Sequence, residues 1–113
     1  MRLIFVLRAA LICGDVVAAQ AIATRNDAEN IGSSRWRWTI YLVANPTVLN
    51  RIECVEYVLH RTFPNPVQRV CQLGNPRTPF ALTAAGWGTF VVRVRVFFRN
   101  GETQDLEHQL VFR

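Results

Sequence analysis

The run Phe90-Val-Val-Arg-Val-Arg-Val-Phe-Phe98 sends its residues alternately to two sides, with Val92, Val94, Val96 and Phe98 on one and Arg93 and Arg95 on the other. A period of two is that of an extended strand, and one apolar plus one charged face suits an antiparallel sheet laid over a core. Asn100-Gly101 follows directly. Both residues tolerate positive φ, so the pair predicts a tight hairpin. The chain then returns over Thr103 to Phe112, where Leu106, His108, Leu110 and Phe112 share a face.

The same period recurs upstream. Trp36 to Val43 places Trp36, Trp38, Ile40 and Leu42 on one side, until Asn45-Pro46 breaks the strand. Arg51 to His60 sets Val55, Tyr57 and Leu59 against Cys54, Glu56 and Val58. Pro64-Asn65-Pro66 makes a rigid turn, because proline fixes φ and removes a donor. Val67 to Gln72 and Pro79 to Thr83 read as short strands around a loop containing Gly74-Asn75-Pro76, and residues 18 to 25 as a first edge strand. Outside the N-terminal stretch, no window shows an unbroken apolar stripe of helical period. Roughly seven to eight strands separated by turn signals predict an all-β, immunoglobulin-like antiparallel β-sandwich.

A length of 113 residues gives room for one domain, and with half the residues hydrophobic it can bury a core without metal. The net charge of +5 raises the question of nucleic acid, but all thirteen basic residues are arginines. They are spread from Arg2 to Arg113, acids flank many of them, and no binding motif accompanies them. A solvated face is therefore expected in place of a nucleic-acid surface. Residues 1–19 differ in character: Met1-Arg2, an apolar stretch from Leu3 interrupted by Arg8, then small residues around Ala19. They read as a secretory leader ahead of a domain over 20–113, so export is expected, the alternative being a cytoplasmic chain with a hydrophobic start. The stretch is too short and too interrupted to be a stable transmembrane segment. Of Cys13, Cys54 and Cys71, the last two would remain after cleavage, either bonded or as free thiols. Their spacing matches no metal site, so no zinc is expected.

Two motifs resemble a known family. Val55-Glu-Tyr-Val-Leu-His-Arg-Thr-Phe-Pro-Asn-Pro-Val67 is similar to the YEATS pattern of a strand ending in Leu-His, a hydroxyl residue and Phe, then a proline turn. Ala85-Gly86-Trp87-Gly88-Thr89-Phe90 resembles the glycine-aromatic loop of the same family. Trp36-Arg-Trp38-Thr-Ile-Tyr, Asn100-Gly101 and Leu106-Glu-His108-Gln-Leu110 look like its prokaryotic branch. Eukaryotic members read acylated lysine in histone tails by sliding the flat acyl amide between aromatic rings. The resemblance implies Phe63 and Trp87 as walls, Thr62 as the hydroxyl partner, His60 as organiser of the loop and Phe90 as the base. Gly86 and Gly88 would let the Trp87 backbone come close to the ligand, where its N–H would donate to the acyl carbonyl. Animal readers add an aromatic from the loop ahead of the first tryptophan strand. Here that stretch is Gly32-Ser33-Ser34-Arg35, and Trp36 is the aromatic at hand.

An exported bacterial protein meets no histone tails, so the expected partner is an unidentified protein or modified-peptide ligand. The sequence holds no nucleophile–base spacing, no carboxylate pair in a loop and no phosphate-binding glycine loop. A non-catalytic sensor or reader without cofactor is the expectation. The alternative is an exported sandwich that serves as a protein-interaction or structural module and takes no small ligand.

Overall fold

The computed structural model describes residues 20–113, so the leader expected over residues 1–19 lies outside the described residues. Alternating burial sorts the described residues into seven strands, β1 (Ala23–Gly32), β2 (Arg35–Val43), β3 (Ile52–Val58), β4 (Val67–Val70), β5 (Leu82–Gly86), β6 (Val91–Phe98) and β7 (Thr103–Gln109). One antiparallel sheet runs β1-β2-β5 and the other β4-β3-β6-β7. The architecture is the expected immunoglobulin-like sandwich. Its core takes Trp38, Ile40 and Leu42 from one sheet and Val55, Tyr57, Val92, Val94, Val96 and Phe98 from the other. Period-two patterning places all of these inward.

Three elements depart from the sequence reading. Among the described residues the first strand runs Ala23–Gly32, seven residues beyond the end at 25 expected from the sequence, and the expected start at 18 lies outside the described residues. Its inward positions include Thr24, Asn26 and Ala28, so it carries no hydrophobic alternation to read. Strand β5 begins at Leu82, because Phe80 adopts φ +54 and keeps the chain in a loop up to it. Asn45-Pro46 ends β2 but also starts a one-turn helix, α1 (Pro46–Asn50): Asn45 Oδ1 accepts from the Val48 N–H at 2.9 Å, and proline occupies the first turn.

The long connection from β4 to β5 is anchored from below. Buried Tyr57 donates its hydroxyl to the Phe80 carbonyl at 2.6 Å, and the Phe80 N–H donates to Leu73 O at 2.9 Å. Burial pushes the Tyr57 phenol far above its ordinary range, so it stays a neutral donor. The register that sets Val55 opposite Val70 brings Cys54 opposite Cys71, and a disulfide joins them. Cys54 lies on the outer face, as its place in the alternation predicts, yet it is buried.

A polar seam closes the sandwich between β1 and β7. The Asn26 amide makes two bonds to the Val111 backbone, donating to its carbonyl at 2.8 Å and accepting from its N–H at 3.0 Å. This fixes Asn26 Oδ1 as an acceptor, so His108 Nε2, 2.7 Å away, is the donor. His108 Nδ1 then accepts from Thr24 Oγ1 at 2.9 Å. The neutral ring is fully satisfied, and burial lowers its pKa from 6.5. The unfolded chain therefore takes up a proton first, and stability falls as pH drops below about 6.5 toward the lower folded value. Denaturant midpoints at pH 7.5 and 5.5 check this, and the drop should shrink in His108→Gln.

Candidate functional site

Leu59 closes the end of the β3–β4 hairpin through its N–H to Pro66 O at 2.7 Å, so residues 60–65 stand out as a loop. The prolines hold it stiff. Within it, the His60 carbonyl accepts from the Phe63 N–H at 3.0 Å, forming a tight turn. His60 Nδ1 accepts from the Thr62 N–H at 3.3 Å and lies 2.9 Å from Thr62 Oγ1. A ring nitrogen that accepts carries no proton, so the network assigns the hydroxyl hydrogen to it as well. Thr62 Oγ1 thus keeps its lone pairs for an incoming N–H.

The second loop joins β5 to β6. Residues 85–90 face the first loop across a cleft of ≈ 530 Å³, lined by His60, Thr62, Phe63, Pro64, Trp87 and Phe90 together with Gly86 and Gly88. The ligand-site residues named from the two motifs, His60, Thr62, Phe63, Gly86, Trp87, Gly88 and Phe90, all line it. Phe63 and Phe90 form the inner part, with ring centroids 5.7 Å apart. Trp38 meets both edge-to-face from the core, at 6.4 and 6.0 Å. Its indole N–H is buried and has no hydrogen-bond partner among the described residues. A Cβ on Gly86 would sit 3.7 Å from Phe63 Cζ, so the backbone passes close against that ring. Trp87 is the opposite case, 68% exposed and projecting between two glycines. No stacking contact joins Phe63 to Trp87 among the described rings. Both side chains line the same cleft.

Trp36 does not supply the extra aromatic. It stacks on Phe112 at 5.3 Å and 16°. The residue that reaches the site from that loop is Arg35, whose guanidinium lies 5.3 Å over the Trp87 ring. Motif reading passed over Arg35, although the pairing of Trp36 with Gly86 sets Arg35 beside Trp87.

A larger concavity of ≈ 650 Å³ lies on the outer face of β3, β6 and β7, among Glu56, Arg93, Arg95, Asp105 and Glu107. Its charges answer one another. Arg95 grips Asp105 at 2.7 and 3.1 Å and holds that carboxyl below its ordinary value. Arg93 and Arg95 are exposed on this face, as their place in the alternation predicts, and the aromatic cleft is the better candidate site.

The family model of the prokaryotic YEATS domain matches residues 36–111. The chain belongs to the YEATS family. Among curated relatives, the AF-9 homologue of Candida glabrata is 33% identical over 92 residues, covering 71% of this chain and 39% of that protein. The AF-9 homologue of Saccharomyces cerevisiae is 36% identical over 78 residues, covering 65% of this chain and 32% of the relative. This YEATS domain thus spans about a third to two fifths of those proteins. Among solved structures, the Yaf9 YEATS domain bound to H3K27ac superposes with a TM-score of 0.63 at 28% identity, covering 85% of this chain and 78% of that one. The Yaf9 YEATS domain recognizing an H3K122suc peptide gives 0.63 at 27%, covering 84% and 78%.

Proposed function

We propose that this YEATS domain is a non-catalytic reader that holds a planar acyl amide, of the acyl-lysine kind, between Phe63 and Trp87. The observation that carries the reading is the cleft that both aromatic residues line, with the Thr62 hydroxyl hydrogen-bonded to His60 at its wall. Two π faces favour a flat, polarizable group, and a buried amide needs both its N–H and its carbonyl met. Thr62 Oγ1 accepts the amide N–H, and the Trp87 backbone N–H donates to the acyl carbonyl. Phe90 closes the inner end. The acylated histone peptides bound by the Yaf9 domains support the same ligand class.

The cleft lining contains no carboxylate to orient His60 as a base, which favours binding over catalysis. The Cys54–Cys71 disulfide suits an oxidising compartment and so favours export, where the ligand is a modified segment other than a histone tail. As a prokaryotic sensor, the domain would report the acylation state of that segment.

Titration with lysine peptides bearing acetyl, butyryl and crotonyl groups tests the reading. Binding should change Trp87 fluorescence, and Trp87→Ala should weaken it about tenfold or more, by loss of one stacking wall and its buried area. The melting temperature should stay unchanged, since Trp87 is mostly exposed. A full panel without binding sinks the proposal, as would a partner whose capture survives Trp87→Ala while acyl peptides do nothing.

A further inference from the structure

Between Glu56 and Glu102 the chain contains six arginines and not one aspartate or glutamate. The whole lining of the aromatic cleft comes from this acid-free stretch. Arg61 stands exposed between the lining residues His60 and Thr62. Arg35 joins from β2, over the Trp87 ring. Among the described residues, neither arginine has an ion-pair partner. The strand row that reaches the cleft at Ala85 ends on a carboxylate, Glu29, and Arg37 between them occupies it at 2.9 Å. The cleft thus has two arginines at its rim and no carboxylate in its lining.

The position of Arg35 is built, not incidental. Ser33 and Ser34 both take positive φ, 52° and 64°, between the paired residues Gly32 and Arg35. A two-residue hairpin of this hand normally uses Asn-Gly, and serine holds it under strain. That turn sets the start of β2 where the pairing of Trp36 with Gly86 fixes Arg35 against Trp87. A guanidinium over an indole is attracted by the ring and keeps its edge donors free for carboxylates.

We propose that the segment read by the cleft is acidic: the acylated lysine is flanked by aspartate or glutamate residues that meet Arg35 and Arg61. The proposal rests on the acyl-amide reading above and adds to it the charge of the partner. Acylation removes the lysine's own positive charge, so the field at the rim acts on the neighbours alone. Acidic flanks are drawn in and basic ones repelled, over a range of about 8 Å at physiological salt. This is the reverse of what a lysine- and arginine-rich tail would need.

The test uses three peptides of equal length, each with one acetyl-lysine, flanked on both sides by two Glu, two Gln or two Arg. Binding to residues 20–113 as part of the full chain is followed by Trp87 fluorescence in about 50 mM and 500 mM salt. The Glu peptide should bind about tenfold more tightly than the Arg peptide at low salt, with the Gln peptide between them, and the ratio should contract several-fold at high salt. Arg35→Gln and Arg61→Gln should each lower the Glu-to-Arg ratio about two- to fivefold, while Arg35→Lys, which keeps the charge, should retain it. Equal affinities, or a preference for the Arg peptide, overturn the acidic partner but leave the acyl-amide reading standing. If no peptide binds, the Gln peptide included, both readings fail together. A fourth, Gln-flanked peptide carrying succinyl-lysine separates the two sources of negative charge. If it equals the Glu-flanked acetyl peptide and loses as much in Arg35→Gln, the charge belongs to the acyl group and the flank assignment is overturned.

Discussion

Trp38→Ala is expected to lower stability by about 3–5 kcal/mol, the range for removing a large buried aromatic. Trp38 is 1% exposed and sits in the core beneath both loops of the cleft, meeting Phe63 and Phe90 edge-on. Its loss removes buried area from the sandwich and the surface on which those two rings rest. Denaturant titration would show the midpoint falling, and the surviving folded fraction would bind acyl peptides poorly even below that midpoint. Trp38→Phe should recover most of the stability, because the orphaned indole N–H contributes no hydrogen bond that phenylalanine would lose. A midpoint within about 1 kcal/mol of the parent for Trp38→Ala would mean that the cleft floor is held by something else. The contrast with Trp87 is built into the same aromatic group: one tryptophan supports the fold, the other projects from it.

That contrast shows what was legible in the chain. Strand β6 and its hairpin into β7 were readable because Val92, Val94 and Val96 face the core and Arg93 and Arg95 do not, with Asn100-Gly101 marking the turn. Strand β1 was misplaced because its inner positions pay for no apolar burial; Thr24 and Asn26 are inward to bond His108 and the Val111 backbone. Strand β5 starts late because Phe80 is held in a positive-φ conformation by tertiary bonds, which local pattern does not report. At the cleft, the loops at residues 60–66 and 85–90 were found as motifs, and the sandwich brings them together. Arg35 escaped because its role depends on register. Only when Trp36 is known to pair with Gly86 does the residue before it come to lie over Trp87.

The second large effect is expected from the disulfide. Cys54 and Cys71 are 17 residues apart, and the loop they close contains His60, Thr62 and Phe63. Closing a loop of that size restricts the unfolded chain and is worth about 3 kcal/mol by the chain-entropy account. In the folded domain the bond also ties off a short hairpin. Strands β3 and β4 share only the four pairs from Val55↔Val70 to Val58↔Val67, and β4 is the edge of its sheet. Without the bond, the far end of β4 can fray away from β3, and the loop bearing one wall of the cleft is held by fewer constraints. Cys54→Ala/Cys71→Ser should therefore unfold at lower denaturant than the oxidised parent, and the parent treated with reductant should move toward the variant. Affinity for acyl peptides should fall in step, through greater freedom of Phe63 and Thr62 before binding, since ordering a loop on binding subtracts from affinity. Coincident unfolding curves for the variant and the oxidised parent would show that the bond contributes nothing to stability. A lower midpoint with unchanged peptide affinity would assign the bond to the fold alone, because the proline-stiffened turn from Pro64 to Pro66 would then be holding the wall unaided.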